Sequence, residues 1–92
     1  MIRSFRHKGL QRLFEMGSRR GIPPDMAPRL LRQLDMLNAA REPRDMNLPG
    51  YNLHELQGAR KGVWAVTVRA NWRMTFKFND SDAWEVDFED YH

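Results

Sequence analysis

Between Val63 and His92 the chain alternates apolar and polar residues through three consecutive runs, and few folds accommodate that pattern. Trp64, Val66 and Val68 alternate with Ala65, Thr67 and Arg69; Trp72, Met74, Phe76 and Phe78 alternate with Arg73, Thr75 and Lys77. After Asn79-Asp80-Ser81-Asp82 the third run sets Trp84, Val86 and Phe88 against Glu85, Asp87 and Glu89. Period-2 runs rich in aromatic and β-branched residues, separated by short polar turns, predict an antiparallel meander with one buried face. Neighbouring strand residues point to opposite faces, so the same parity defines a polar face. Thr67, Arg69, Arg73, Thr75, Lys77 and, by continuation, Tyr91 fall on it.

Cross-strand complementarity suggests a register. Phe78 opposite Trp84 would pair Phe76 with Val86 and Met74 with Phe88 on the apolar face, and Lys77 with Glu85 and Arg73 with Glu89 on the polar one. A two-residue turn at Ala70-Asn71 would set Arg69 against Trp72 and mix the faces. A three-residue or bulged connection that pushes Asn71 outward is therefore expected.

Upstream, Leu10, Leu13 and Phe14 share one face of a helix expected from about His7 to Met16, with Gly17 as its stop. Ser18 to Pro24 reads as a loop, because two glycines and Pro23-Pro24 interrupt helical continuity. A second helix is expected from Asp25, as N-cap, to about Ala40. Met26, Ala27, Leu30, Leu31, Leu34 and Leu37 form its apolar stripe, with Arg29, Arg32 and Asp35 on its other side. Ile2 to Phe5 alternate as an edge strand would, and Tyr51 to Leu56 supply a further short run. The expected architecture is α+β, in the order β-α-α-β-β-β with an extra short strand: two N-terminal helices packed on one face of a small antiparallel sheet.

Ninety-two residues suit one domain, 1–92, with one small core. The absence of cysteine excludes a disulfide framework and thiolate chemistry. The chain shows neither a membrane-length apolar run nor a signal-peptide stretch, so the expected compartment is cytoplasmic. Residues 1–44 hold ten Lys/Arg against four Asp/Glu, a balance of +6, while residues 45–92 balance at −3. A basic half suits a polyanionic partner, and equally a solvated helix surface.

The three histidines, His7, His54 and His92, lack metal-ligand spacing, and no phosphate-binding glycine loop or nucleophile elbow occurs. No metal or other cofactor is expected. A lone histidine such as His54 is more often structural than catalytic. At the last position, His92 has its own carboxylate beside its imidazole, which favours the protonated ring. Asp90, Tyr91 and His92 bring an acceptor, a phenol and an imidazole together. With Arg69 and Arg73 they make an inventory suited to acid–base work on a phosphodiester.

Several stretches together resemble the HigB toxins of bacterial toxin–antitoxin modules, a branch of the RelE superfamily of ribosome-dependent mRNA interferases. They are Ile2-Arg3-Ser4-Phe5-Arg6-His7-Lys8-Gly9-Leu10, Leu13-Phe14-Glu15, Leu53-His54-x-Leu56, Gly58, Gly62-x-Trp64, Thr67-Val68-Arg69-Ala70-Asn71-Trp72-Arg73 and the closing Glu89-Asp90-Tyr91-His92. The Val-Arg-Ala-Asn-Trp-Arg block and the terminal Asp-Tyr-His are the specific parts. The resemblance implies the RelE/ParE-like fold and an endoribonuclease that cuts mRNA in the A site of translating ribosomes, inhibiting translation and growth. It also implies a HigA-like helix-turn-helix antitoxin, through which alone the toxin meets operator DNA. By position, His54, Asp90, Tyr91 and His92 correspond to the catalytic set and Arg73 to the group at the scissile phosphate. Gln57 stands where the family often has Lys, so a cationic RNA contact is either missing or supplied by Arg60 or Lys61.

The chemistry implied is attack of a ribose 2′-OH on the adjacent phosphate, so the substrate supplies the nucleophile and no metal is required. One histidine acts as base and the other as acid, with Asp90 orienting His92 or competing as base. Tyr91 either stacks on a base or hydrogen-bonds the phosphate. Arg69 and Asn71 are candidate RNA contacts, and Asn71 suits an adenine edge by analogy with amide–adenine pairing on DNA. Two other readings share the fold: a ParE-like gyrase poison and a non-catalytic nucleic-acid- or ribosome-binding module.

Overall fold

The spacing of Leu10, Leu13 and Phe14 folds as helix α1, Lys8–Met16, whose ends are both satisfied locally. His7 Nδ1 accepts the Leu10 N–H at 3.1 Å, and Gly17, at φ 69°, closes the helix by donating to the Arg12 and Leu13 carbonyls. The capping ring lies over Gly9, where a Cβ would stand 2.8 Å from His7 Cε1. Part of the His7-Lys8-Gly9-Leu10 motif thus has a structural cause: the cap needs its neighbour to lack a side chain. This computed structural model describes residues 1–91.

Helix α2 spans Ala27–Ala39, starting later than expected. Met26, not Asp25, occupies the N-cap position, without a side-chain cap. Met26 and Ala27 are buried, so the helix entry is set by apolar packing, and Asp25 pairs instead with Arg69. A 3₁₀ turn, Pro43–Met46, follows. Arg29 also departs from its expected solvent side. It is half-buried, lies 5.2 Å over the Tyr51 ring and donates to the Gly50 and Thr67 carbonyls.

The sheet comprises β1 His54–Glu55, β2 Trp64–Arg69, β3 Trp72–Asn79 and β4 Asp82–Asp90, in the spatial order β1-β2-β3-β4 with every neighbouring pair antiparallel. A 3₁₀ turn, Gly58–Arg60, joins β1 to β2. The expected N-terminal edge strand is reduced to two parallel bridges against β4, Ile2 with Ala83 and Phe5 with Val86.

Both hairpins solve the parity problem with bulges. At the first, a two-residue turn does set Arg69 against Trp72, and a register shift between Thr67 and Arg69 absorbs the mismatch within β2. Val68 is the additional residue and stays buried, while Asn71 is exposed as expected. At the second, Arg73 faces Glu89 and Met74 faces Phe88 as expected, but Phe78 faces Ala83 rather than Trp84, and Lys77 faces Trp84. The turn there is Asp80-Ser81, with φ of 52° and 66°, the left-handed pair that matches strand twist in a tight hairpin. That choice moves the tip by one residue, buries Ala83 and exposes Trp84. Glu85, at φ 53°, lies in the irregular stretch before parity returns at Val86. The expected Lys77–Glu85 attraction persists as a 2.9 Å ion pair.

The core forms where the helices meet the apolar face. Leu10, Leu30, Leu34, Leu37, Val66, Met74, Phe76, Ala83 and Val86 are all fully excluded from solvent. Each large aliphatic or aromatic side chain there contributes roughly 1.5–3 kcal/mol of transfer free energy. Packing this face against the helices leaves the opposite one for polar chemistry.

Candidate active site

The sheet register assembles the polar face row by row. His54 lies opposite Ala65, Ala65 opposite Thr75, and Thr75 opposite Asp87; in the next row Thr67 faces Arg73 and Arg73 faces Glu89. Paired strand residues share a face, so His54, Thr67, Arg73, Thr75 and Glu89 belong to one surface. Beyond this row the Tyr91 amide donates to the Asn71 carbonyl at 2.8 Å. That bond ties the chain's last described residue to the β2–β3 turn.

His54 is exposed, and its Nδ1 lies 2.9 Å from the Asn52 carbonyl oxygen. A carbonyl only accepts, so Nδ1 carries the proton and, in the neutral ring, Nε2 presents its lone pair. That is the form a general base requires.

Arg73 donates through one terminal nitrogen to the Ala70 carbonyl at 2.6 Å and the Trp72 carbonyl at 3.1 Å. Its guanidinium carbon lies 5.9 Å from the centre of the Tyr91 ring. Arg60 reaches the same face from the 3₁₀ turn and meets Glu89 with both terminal nitrogens, at 2.8 and 2.7 Å. Glu89 also accepts the Thr75 hydroxyl at 2.6 Å. These donors, Arg60 first, hold the Glu89 carboxyl below its ordinary pKa although burial opposes them, and Glu89 in turn pushes Arg60 up. The Tyr91 hydroxyl is buried and has no hydrogen-bond partner among the described residues. Burial, then the Glu89 charge, pushes its pKa above the ordinary 10.0, against the pull of Arg60 and Arg73. At neutral pH it is a phenol, able to donate a proton or a hydrogen bond.

Not every expected site residue joins this group. Asp90, exposed and opposite Trp72, follows Glu89 in the strand, so alternation turns it away from the polar face. Arg69 is exposed at the hairpin end, in the ion pair with Asp25. Asn71 is exposed in the turn itself, and Gln57 is exposed with its amide donating to the Glu55 carbonyl at 3.2 Å. His92 lies outside the described residues.

Sequence reasoning gave Glu89 no role in the site, noting it as a partner for Arg73 and as the first residue of the closing Glu89-Asp90-Tyr91-His92 stretch. Its signal was there in the alternation that puts Glu89 beside Thr75 and Arg73. The path that brings Arg60 onto it depends on the tertiary course of the Gly58–Arg60 turn. Gln33 was also missed: it is fully buried and donates to the Thr67 carbonyl at 2.9 Å, tying α2 to the bulged part of β2.

A four-stranded meander backed by two N-terminal helices, with cations gathered on its open face, is a RelE-like arrangement. The chain matches over residues 3–92 the family described as the RelE-like toxin of type II toxin–antitoxin system HigB. It is 47% identical over 92 residues, the whole of both chains, to the endoribonuclease HigB of Proteus vulgaris. It is also 32% identical over 85 residues, 90% of each chain, to the toxin HigB-1 of Vibrio cholerae. The chain belongs to the HigB family of RelE-like toxins. Membership of a type II toxin–antitoxin system makes an antitoxin its partner. Among the described residues no helix is long and apolar enough to cross a membrane.

Proposed function

We propose that this chain, as one RelE-like toxin domain over residues 1–92, is an endoribonuclease that cuts mRNA in the A site of translating ribosomes in the cytoplasm. Its antitoxin is a HigA-like helix-turn-helix protein, and contact with operator DNA is made through that protein alone. The observation that carries this reading is the polar face itself, on which a histidine with an available Nε2 shares a surface with Arg73 and Tyr91. The 47% identity to a full-length endoribonuclease supports the same conclusion.

In the proposed reaction the ribose 2′-oxygen attacks the adjacent phosphorus and the bond from phosphorus to the 5′-oxygen breaks. His54 Nε2 accepts the 2′ proton, and His92 or Tyr91 protonates the leaving 5′-oxygen. The products are a 2′,3′-cyclic phosphate and a 5′-hydroxyl. Arg73 stabilises the charge that grows on the non-bridging oxygens, an interaction strongest in the transition state. Asp90 orients His92. Asn71 and Arg69, at the rim, contact the mRNA, with Asn71 reading an adenine edge; Gln57 is a neutral contact on the His54 side.

A single 2′-deoxy substitution tests this chemistry. Ribosomes are programmed with an mRNA that the protein cuts at a mapped position, and the nucleotide 5′ to the cut is replaced by its 2′-deoxy form. Loss of cutting at that bond, with cutting elsewhere retained, is the expected result. Continued cutting at that bond would rule out 2′-OH attack.

A further inference from the structure

Tyr91 feels two guanidinium groups that are held in different ways. Arg73 is anchored by backbone carbonyls, whereas Arg60 is anchored by the Glu89 carboxylate, which is itself pinned by Thr75. We infer that Glu89 is a positioning residue that aims Arg60 at the scissile phosphodiester beside Tyr91. The inference rests on the reading of the polar face as an RNA-cleaving site.

The geometry supports this over a simple surface ion pair. A guanidinium has five N–H donors in a rigid plane, and the bidentate contact engages two of them. The others are left in an orientation set by Glu89 rather than by the flexible arginine stem. Three short hydrogen bonds, from Arg60 twice and Thr75 once, fix the carboxylate on a strand, and strands place groups more accurately than turns do. The Arg60–Glu89 pair carries no net charge, so it adds little to long-range attraction of RNA. Its contribution is directional, made at the phosphate. Position 57 on this side of the face is a glutamine that donates to the Glu55 carbonyl. Of the two cations near this turn, Arg60 is the one fastened onto the polar face, through Glu89. Burial and the Glu89 charge also push the Tyr91 phenol above its ordinary pKa.

The test is a single-turnover cleavage assay on ribosomes programmed with a short mRNA, run at increasing toxin concentration to separate the saturating rate from half-saturation. The proteins are wild type, Glu89→Gln, Arg60→Ala, Arg60→Lys and the Arg60→Ala/Glu89→Gln double variant, with a thermal melt for each. A misplaced catalytic contact costs up to about 10²-fold in rate. Glu89→Gln is expected to lower the saturating rate between about tenfold and that limit, with half-saturation within about twofold of wild type. Arg60→Lys, which keeps the charge but not the fork, is expected to be as slow as Arg60→Ala. The double variant is expected to be no slower than Arg60→Ala, because the two residues act as a unit.

Losses that multiply in the double variant, full activity of Arg60→Lys, or rates at wild-type level for all variants would overturn the inference. A rate loss that disappears at a temperature where every variant is fully folded would overturn it too, since only stability would then be at stake. A wild-type protein that cuts nothing would instead overturn the parent reading, and the inference would fall with it.

Discussion

His54 is the residue on which the proposed chemistry turns, because the Asn52 carbonyl fixes its tautomer. Removing a general base typically costs 10²–10⁴-fold in rate. His54→Ala is therefore expected to lower the single-turnover cleavage rate by about that factor, and a loss under threefold would deny it the role of base. Tyr91→Phe separates the two uses of the phenol. Loss of the buried hydroxyl is expected to slow cleavage at least about tenfold, whereas a ring that only stacks on a base would tolerate the change. Glu89 gives a prediction about pH. Its folded pKa lies below the ordinary glutamate value, chiefly because Arg60 donates to it. The unfolded chain therefore takes up this proton at higher pH than the folded one, and stability from Glu89 is complete above the unfolded pKa, about 4.3. It is lost as pH falls through the lower folded value. Urea midpoints measured from pH 6 to pH 3 are expected to fall less steeply for Glu89→Gln than for wild type, and equal slopes would contradict the assignment. Of this group, the alternation of the last two strands made Arg73 and Tyr91 legible in the sequence. The Arg60–Glu89 fork was not, because no local pattern reports where a turn carries a side chain across a sheet.

At the scale of elements, sequence periodicity located the helices and the three long strands but not their exact register. Strand parity is a local property, whereas a bulge is chosen by what must be buried. Val68 and Ala83 end up in the core and Trp84 does not, so the tip of the second hairpin shifts by one residue from the charge-matched pairing. The start of α2 shows the same competition, since packing of Met26 overrode the capping chemistry that Asp25 offered. The His7 cap was missed because histidine is not among the favoured N-cap residues. His7→Ala is expected to cost about 1 kcal/mol of stability, read by urea unfolding, while leaving the cleavage rate of folded protein unchanged. The first hairpin carries a strained position. Ala70 sits at φ 50°, where an L-residue is disfavoured by roughly 1–2 kcal/mol, while glycine adds an entropic cost of roughly 0.5–1 kcal/mol. Ala70→Gly is expected to stabilise the protein by about 0.5–1 kcal/mol; a lower urea midpoint would contradict that reading of the turn.

For the whole molecule, the basic N-terminal half and the polar face are distinct sources of positive charge. Arg29, engaged with Tyr51 and two carbonyls, is unsuitable for testing surface charge, whereas Arg32 is exposed on α2. The solvated-surface and docking readings of this half part at that residue. Under the docking reading, Arg32→Glu weakens ribosome binding and flattens its dependence on salt without changing the saturating cleavage rate; binding equal to wild type from low to physiological salt would assign the charge to solvation. The central claim is that the polar face cleaves translated mRNA. The most direct measurement is primer extension on an mRNA in a purified bacterial translation system, using untagged protein, with His54→Ala and Arg73→Ala alongside and ribosome-free mRNA as control. Cuts within codons that require translation and are lost in both variants are the predicted result. Blocked translation without any cuts, or cuts that persist in both variants, would contradict it.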